Sequence, residues 1–118
     1  MVDARSSAAR CFTKTQERGF VVATYVTLWK YTHGGITTIK DSPARLDAVR
    51  GLLPKLGAEL KAFYLTMGGY DLVTITEAPD DETAAKATLA IASQGSVSSE
   101  TLRAFTEAEY REIIAGLP

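Results

Sequence analysis

Lys61-Ala62-Phe63-Tyr64-Leu65-Thr66-Met67-Gly68-Gly69-Tyr70-Asp71-Leu72-Val73-Thr74-Ile75-Thr76-Glu77 is the stretch that decides the fold, because two β-rich runs meet there at a pair of glycines. β-Branched and aromatic residues fill both runs, and Gly68-Gly69 suits a tight turn that needs positive φ. The runs are expected to pair antiparallel, as strands Ala58 to Met67 and Tyr70 to Ala78.

Upstream, Val21 to Trp29 reads as a strand with two unlike faces. Val22, Thr24, Val26 and Leu28 make an aliphatic face; Ala23, Tyr25, Thr27 and Trp29 make an aromatic, hydroxyl-bearing one. Ile36 to Lys40 is expected to form a turn of helix. A longer helix then opens with Ser42 as N-cap and Pro43 in its first turn, and carries Leu46, Val49, Leu53 and Leu56 at helical spacing up to Gly57. Pro54 predicts a kink or an end near Leu53, since an interior proline removes a hydrogen bond to the carbonyl of Arg50. Downstream, Asp80-Asp81-Glu82 opens a second helix at its positive dipole end, with Ala84, Ala85, Ala87, Leu89, Ile91 and Ala92 on its packing face. A fourth strand follows over about Ser96 to Phe105. The last helix starts with a capping box, Thr106 and Glu109, and is expected to be anchored by Ile113, Ile114 and Leu117, with Phe105 and Tyr110 as its hydrophobic staple.

The order β-α-β-β-α-β plus a C-terminal helix is the split βαβ pattern: an α+β, ferredoxin-like antiparallel sheet with helices on one face. With Val26, Leu28, Val73, Ile75, Leu102 and Ala104 taken as helix-facing, the bare face carries Tyr25, Thr27, Trp29, Leu72, Thr74, Thr76, Thr101, Arg103 and Phe105. The second strand is ambiguous, because Phe63, Leu65 and Met67 compete with Leu60, Ala62 and Tyr64, so both its faces are expected to be buried. An open face of this kind invites association, so a homodimer is expected, with two open sheet faces packed together around a small cavity.

Length and composition fit a single domain: 118 residues, 46% hydrophobic and 23% charged, with one cysteine. The longest apolar runs fall far short of the ~20 residues that cross a bilayer, and no apolar core of a signal peptide is present, so a cytoplasmic protein without membrane contact is expected. Cys11 cannot form an internal disulfide. Residues 1 to 21 hold Arg5, Arg10, Lys14 and Arg18 against Asp3 and Glu17, leaving 9 basic and 12 acidic residues in the rest. An acidic body argues against nucleic acid, which needs a concentrated basic stripe, and the strand Tyr70 to Glu77 lacks the stacking aromatics of RNA-binding sheets. Residues 1 to 21 show no sustained period and read as a disordered extension, with a basic targeting or tethering arm as the alternative; 22 to 118 form the domain.

At Lys61 to Val73 the chain resembles the GYD family, small bacterial and archaeal proteins named for the tripeptide that here is Gly69-Tyr70-Asp71. The likeness continues through Glu77 to Lys86 and Glu100 to Thr106, and includes Ala23 to Leu28 and Lys40 to Pro43. It covers about residues 22 to 118 and implies a dimeric α/β-barrel-type domain. No biochemical activity is established for that family, so no catalytic residue is carried over. The chain departs from the pattern at Pro54 and in the extension before Val22, which an upstream start-codon assignment would explain.

No catalytic, metal or phosphate-loop motif stands out, and no cofactor is expected. Gly69-Tyr70-Asp71 reads first as a turn, with Tyr70 packing and Asp71 capping backbone N–H groups; its other reading is a phenol and a carboxylate at a pocket mouth. His33, the single histidine, is either a loop residue or a proton carrier at a cavity rim. Arg103, placed on the aromatic face, needs an anion: Asp71 or Glu77 within a dimer, or a bound carboxylate or phosphate. Tyr25, Trp29, Tyr64 and Tyr70 could surround such a small anionic or aromatic ligand. The preferred function is a dimeric module, non-enzymatic or with no assignable activity, that binds a small ligand or a partner in or near the sheet-to-sheet cavity. The alternative is a small cofactor-independent enzyme of the monooxygenase or isomerase kind, by analogy of fold alone.

Overall fold

Residues 22–118 are described by the computed structural model. The extension over residues 1 to 21 and Cys11 within it lie outside the described residues. Alternation of branched and aromatic residues makes Ala23–Tyr31 a strand, β1, in which every second side chain from Ala23 to Trp29 is buried. Thr32 then starts a helix, its hydroxyl accepting the Gly35 N–H at 3.1 Å to cap α1, His33–Thr37. A 3-10 turn, Ile39–Asp41, leads into α2, Ser42–Leu52. Asp41 rather than Ser42 occupies the N-cap of α2, and no side chain caps it. Pro54 acts as expected: the α-helix stops at Leu52 and tightens into a 3-10 turn, Leu53–Leu56, which Gly57 closes at φ 86°.

Two further strands follow, β2, Glu59–Leu65, and β3, Leu72–Ala78, paired antiparallel with Phe63 opposite Thr74 and Tyr64 opposite Val73. The register slips between Leu60 and Ala62. That irregularity explains the two competing apolar parities in β2, because Leu60 before it and Phe63 after it then share one face. The connection is wider than the expected Gly-Gly turn. The strands stop at Leu65 and resume at Leu72, and the Thr66 N–H donates to Asp71 O at 2.8 Å across the loop. Of the two glycines only Gly68 has positive φ, 127°, whereas a two-residue turn of type I′ needs it twice. Helix α3, Asp81–Ala92, is capped by the Asp80 carboxylate, which accepts the Thr83 N–H at 2.8 Å. Hydrogen bonding by Thr83, through its hydroxyl and then its backbone, holds the Asp80 carboxyl below its ordinary pKa. Strand β4, Val97–Ala104, completes a four-stranded antiparallel sheet in the order β2-β3-β1-β4, the ferredoxin-like arrangement.

Two compact units are distinguishable. The unit Tyr25–Leu102 holds most of the sheet and helices α1 to α3. Here the two faces are the reverse of the expectation. Tyr25, Thr27, Trp29, Leu72 and Thr74 are buried, and they line one cavity with Leu46 and Val49 of α2 and Ala84 and Ala87 of α3. The aromatic, hydroxyl-bearing face is the helix-covered one. Val26, Leu28, Val73 and Ile75 lie on the opposite face and are only part-buried. The cause is volume. Both buried residues of α3 are alanines, so the space between helix and sheet must be filled from the sheet, which needs Trp29 and Tyr25 there rather than valines.

In the second unit, the described residues are 22–24 and 103–118. Its helix α4, Glu107–Ala115, has the expected capping box: Glu109 N–H donates to the Thr106 hydroxyl at 3.2 Å, and Thr106 N–H to Glu109 Oε1 at 2.8 Å. Its apolar residues do not anchor it as expected, for Ile113, Ile114 and Leu117 remain 48%, 48% and 60% exposed.

Candidate functional site

The chamber between the sheet and helices α2 and α3 has a volume of about 250 Å³. Its walls are mostly carbon, from Trp29, Leu53, Phe63 and Leu72 among others, with hydroxyls set into the sheet side. Several of these hydroxyls are paired with neighbouring side chains, as burial demands. The Trp29 indole N–H donates to Thr74 Oγ1 at 2.9 Å, Thr27 and Thr101 share a bond at 3.3 Å, and Tyr31 and Ser42 share one at 3.0 Å. The Tyr25 hydroxyl donates to Asp81 Oδ1 at 2.5 Å, tying β1 to the first turn of α3. Among the described residues that line the chamber, Arg45 alone is charged. It is placed by the connection before α2, donating to Thr38 O at 3.3 Å, Thr38 Oγ1 at 3.1 Å and Gly35 O at 3.4 Å.

The residues singled out from sequence are distributed over several places. Tyr25 and Trp29 line the chamber. Tyr64 stands across from Val73 on the open sheet face and is 59% exposed. Tyr70 donates its hydroxyl to Glu100, whose carboxylate raises the phenol above its ordinary pKa, and Lys30 Nζ sits 5.6 Å from the centre of its ring. Asp71 is a fastener between strands. Its Oδ2 accepts the Tyr31 N–H at 2.9 Å, and its own N–H donates to Trp29 O at 2.8 Å, so both bonds hold the end of β1. His33 opens α1 and is exposed. Arg103 belongs to the second unit, where its guanidinium lies 4.4 Å from the centre of the Phe105 ring and donates to the carbonyls of Thr24 and Ala104.

The role of Asp71 gives a direct expectation. Replacing it with alanine leaves the Tyr31 N–H without its acceptor, and Asp71→Ala should lower stability by about 1–3 kcal/mol in a urea melt. An unchanged midpoint would mean that the carboxylate is not holding β1.

Arg45 is the residue that sequence reasoning missed. It stands four residues before Val49, on the flank of the apolar stripe of α2, and that spacing is the available signal. Among the described residues no cluster of His, Cys, Asp and Glu could hold a metal ion, and no helix is long and apolar enough to cross a membrane.

Comparison with known proteins supplies two findings. Residues 25–114 match the family described as GYD domain. The chain is also 37% identical over 87 residues, 73% of its own length and 92% of the relative's, to the "Glutamine synthetase and cystathionine beta-lyase binding protein" of Thermus thermophilus.

Proposed function

Because the chain belongs to the GYD domain family, we propose that it is a non-catalytic binding module that works as a homodimer and docks on partner enzymes. The enzymes to test first are the glutamine synthetase and cystathionine β-lyase of its own cell, the partners in the name of its relative. The observation that carries the homodimer is the open sheet face. Val26, Leu28, Val73 and Ile75 make it aliphatic, and no helix of the unit Tyr25–Leu102 covers it. A face built for water would carry charged residues at those positions. Lys30, Tyr70 and Glu100 supply polar groups beside it, the usual make-up of an interface with an apolar centre and a polar rim.

A second copy offers the same face, which a two-fold axis brings into self-complementary contact. A stable interface of this kind buries roughly 1,200–2,000 Å² in total. Light scattering behind a sizing column should therefore give a dimer at micromolar concentration, and Val73→Glu should give a monomer that keeps its circular dichroism spectrum. Immobilised wild-type protein should retain purified glutamine synthetase or cystathionine β-lyase. A wild-type monomer at that concentration would remove the homodimer, and failure to retain either enzyme would remove the partner assignment.

A further inference from the structure

We propose that the chamber between the sheet and helices α2 and α3 is a binding site for a small aromatic or aliphatic monocarboxylate, held by Arg45 at its rim. The site is independent of the open sheet face, because it lies on the other side of the same strands. Size restricts the occupant first. About 250 Å³ is below the ~300–1,000 Å³ of ordinary ligand pockets, so a single ring or a short branched chain fits and a nucleotide does not.

Wall chemistry restricts it further. Trp29, Leu53, Phe63 and Leu72 favour an apolar body, and the indole and phenyl rings favour a flat one. Charge then selects the head group. All of the Arg45 hydrogen bonds go to neutral oxygens, those of Thr38 and Gly35, and no carboxylate among the described residues pairs with it. A guanidinium has five N–H donors in a planar fork that matches a carboxylate. Arg45 is the one charged side chain among the described residues of the lining, so it is the group there with which an anion, and not a neutral molecule, can form a charge-assisted hydrogen bond.

The inner wall is not pure hydrocarbon either. Thr74 is 7% exposed and accepts the Trp29 indole N–H, which leaves its own hydroxyl proton free to donate inward; no hydrogen bond among the described residues uses it. A chamber meant only to be empty would be lined by carbon alone. Thr74 offers a water or a ligand oxygen a place beside the ring.

Trp29 is the single tryptophan of the chain and lines the chamber, so its fluorescence reads occupancy directly. The full chain is titrated with sodium phenylacetate, hexanoate and cyclohexanecarboxylate at constant ionic strength, and with benzyl alcohol as the neutral counterpart of phenylacetate. At least one carboxylate should change the Trp29 emission saturably, with a midpoint at least about tenfold below that of benzyl alcohol, the factor that one charge-assisted hydrogen bond supplies. Arg45→Met should raise the carboxylate midpoint by about tenfold or more and leave the alcohol midpoint in place, and Arg45→Lys should restore part of the loss. No saturable change with any of the three carboxylates overturns the site. Equal midpoints for phenylacetate and benzyl alcohol overturn the role of Arg45, and that comparison needs only the wild-type protein should Arg45→Met fail to fold.

Discussion

Gly35→Ala is expected to lower stability by about 3 kcal/mol, a fall in Tm of roughly 12–24 °C for a domain of this size. A Cβ built on Gly35 would stand 2.0 Å from Ser96 O, 3.0 Å from Ser96 C and 3.3 Å from Tyr31 Cδ1. Two of those three atoms are backbone, so no rotamer change relieves the overlap. Ser96 O cannot retreat cheaply, because it accepts the Thr32 N–H at 3.0 Å and so joins the end of β1 to the start of β4. Moving α1 away instead displaces Gly35 O and Gly34 O, which hold Arg45 and Thr38. Gly34 provides the internal control. Its Cβ would meet nothing nearer than Thr32 Oγ1 at 3.8 Å, so Gly34→Ala should be neutral or stabilise by up to about 1 kcal/mol. Equal melting curves for the two variants would refute the close approach of α1 to Ser96. A folded fraction of Gly35→Ala should also bind phenylacetate more weakly, since Gly35 O is one of the oxygens that position Arg45.

Sequence periodicity makes the element order legible, and the reason lies in strong local signals. Asp80 and Thr106 are caps whose side chains accept the N–H three residues on, Pro54 removes one N–H wherever it stands, and Gly57 marks a left-handed close. Period 2 in β1 also shows that the strand has two unlike faces. It does not show which face meets the helices, because both sets of residues are hydrophobic enough to be buried. What decides that is volume, a property of the facing element: the alanines of α3 leave room that only large sheet residues fill. The alanine pattern is visible in the sequence, yet it has to be matched against the sheet and not scored along the helix.

The candidate site shows the same division. The sequence marks Tyr25 and Trp29 as possible ligand contacts on an open face, and they line a chamber inside the chain. Arg45 escapes notice because an arginine one residue before the stripe residue Leu46 looks like any solvated helix charge. Asp71 is expected from sequence to cap the hairpin that contains it, whereas it bonds the Tyr31 N–H of a neighbouring strand. Tertiary partners of this sort depend on strand order, which one chain's periodicity leaves open.

Trp29→Ala is expected to cost about 3–5 kcal/mol, the range for deleting a buried large aromatic, and this sets the sheet faces in direct opposition. Trp29 is 6% exposed and fills the gap over the small residues of α3. Its removal enlarges a chamber that already exists, so a cavity cost adds to the lost burial. The indole N–H bond to Thr74 goes as well, leaving a buried hydroxyl short of a donor. Trp29→Phe separates the two parts: it keeps most of the ring and should cost about 1 kcal/mol, the share of one hydrogen bond. The neighbouring residue should behave differently. Leu28 points to the open face, so Leu28→Glu should leave the fold of a single chain nearly intact and act on association, making Tm depend less on protein concentration than in the wild type. Trp29→Ala should depress Tm at every concentration. Were the aromatic face the exposed one, the two variants would exchange behaviours, so a concentration series of melts on this adjacent pair decides between the faces.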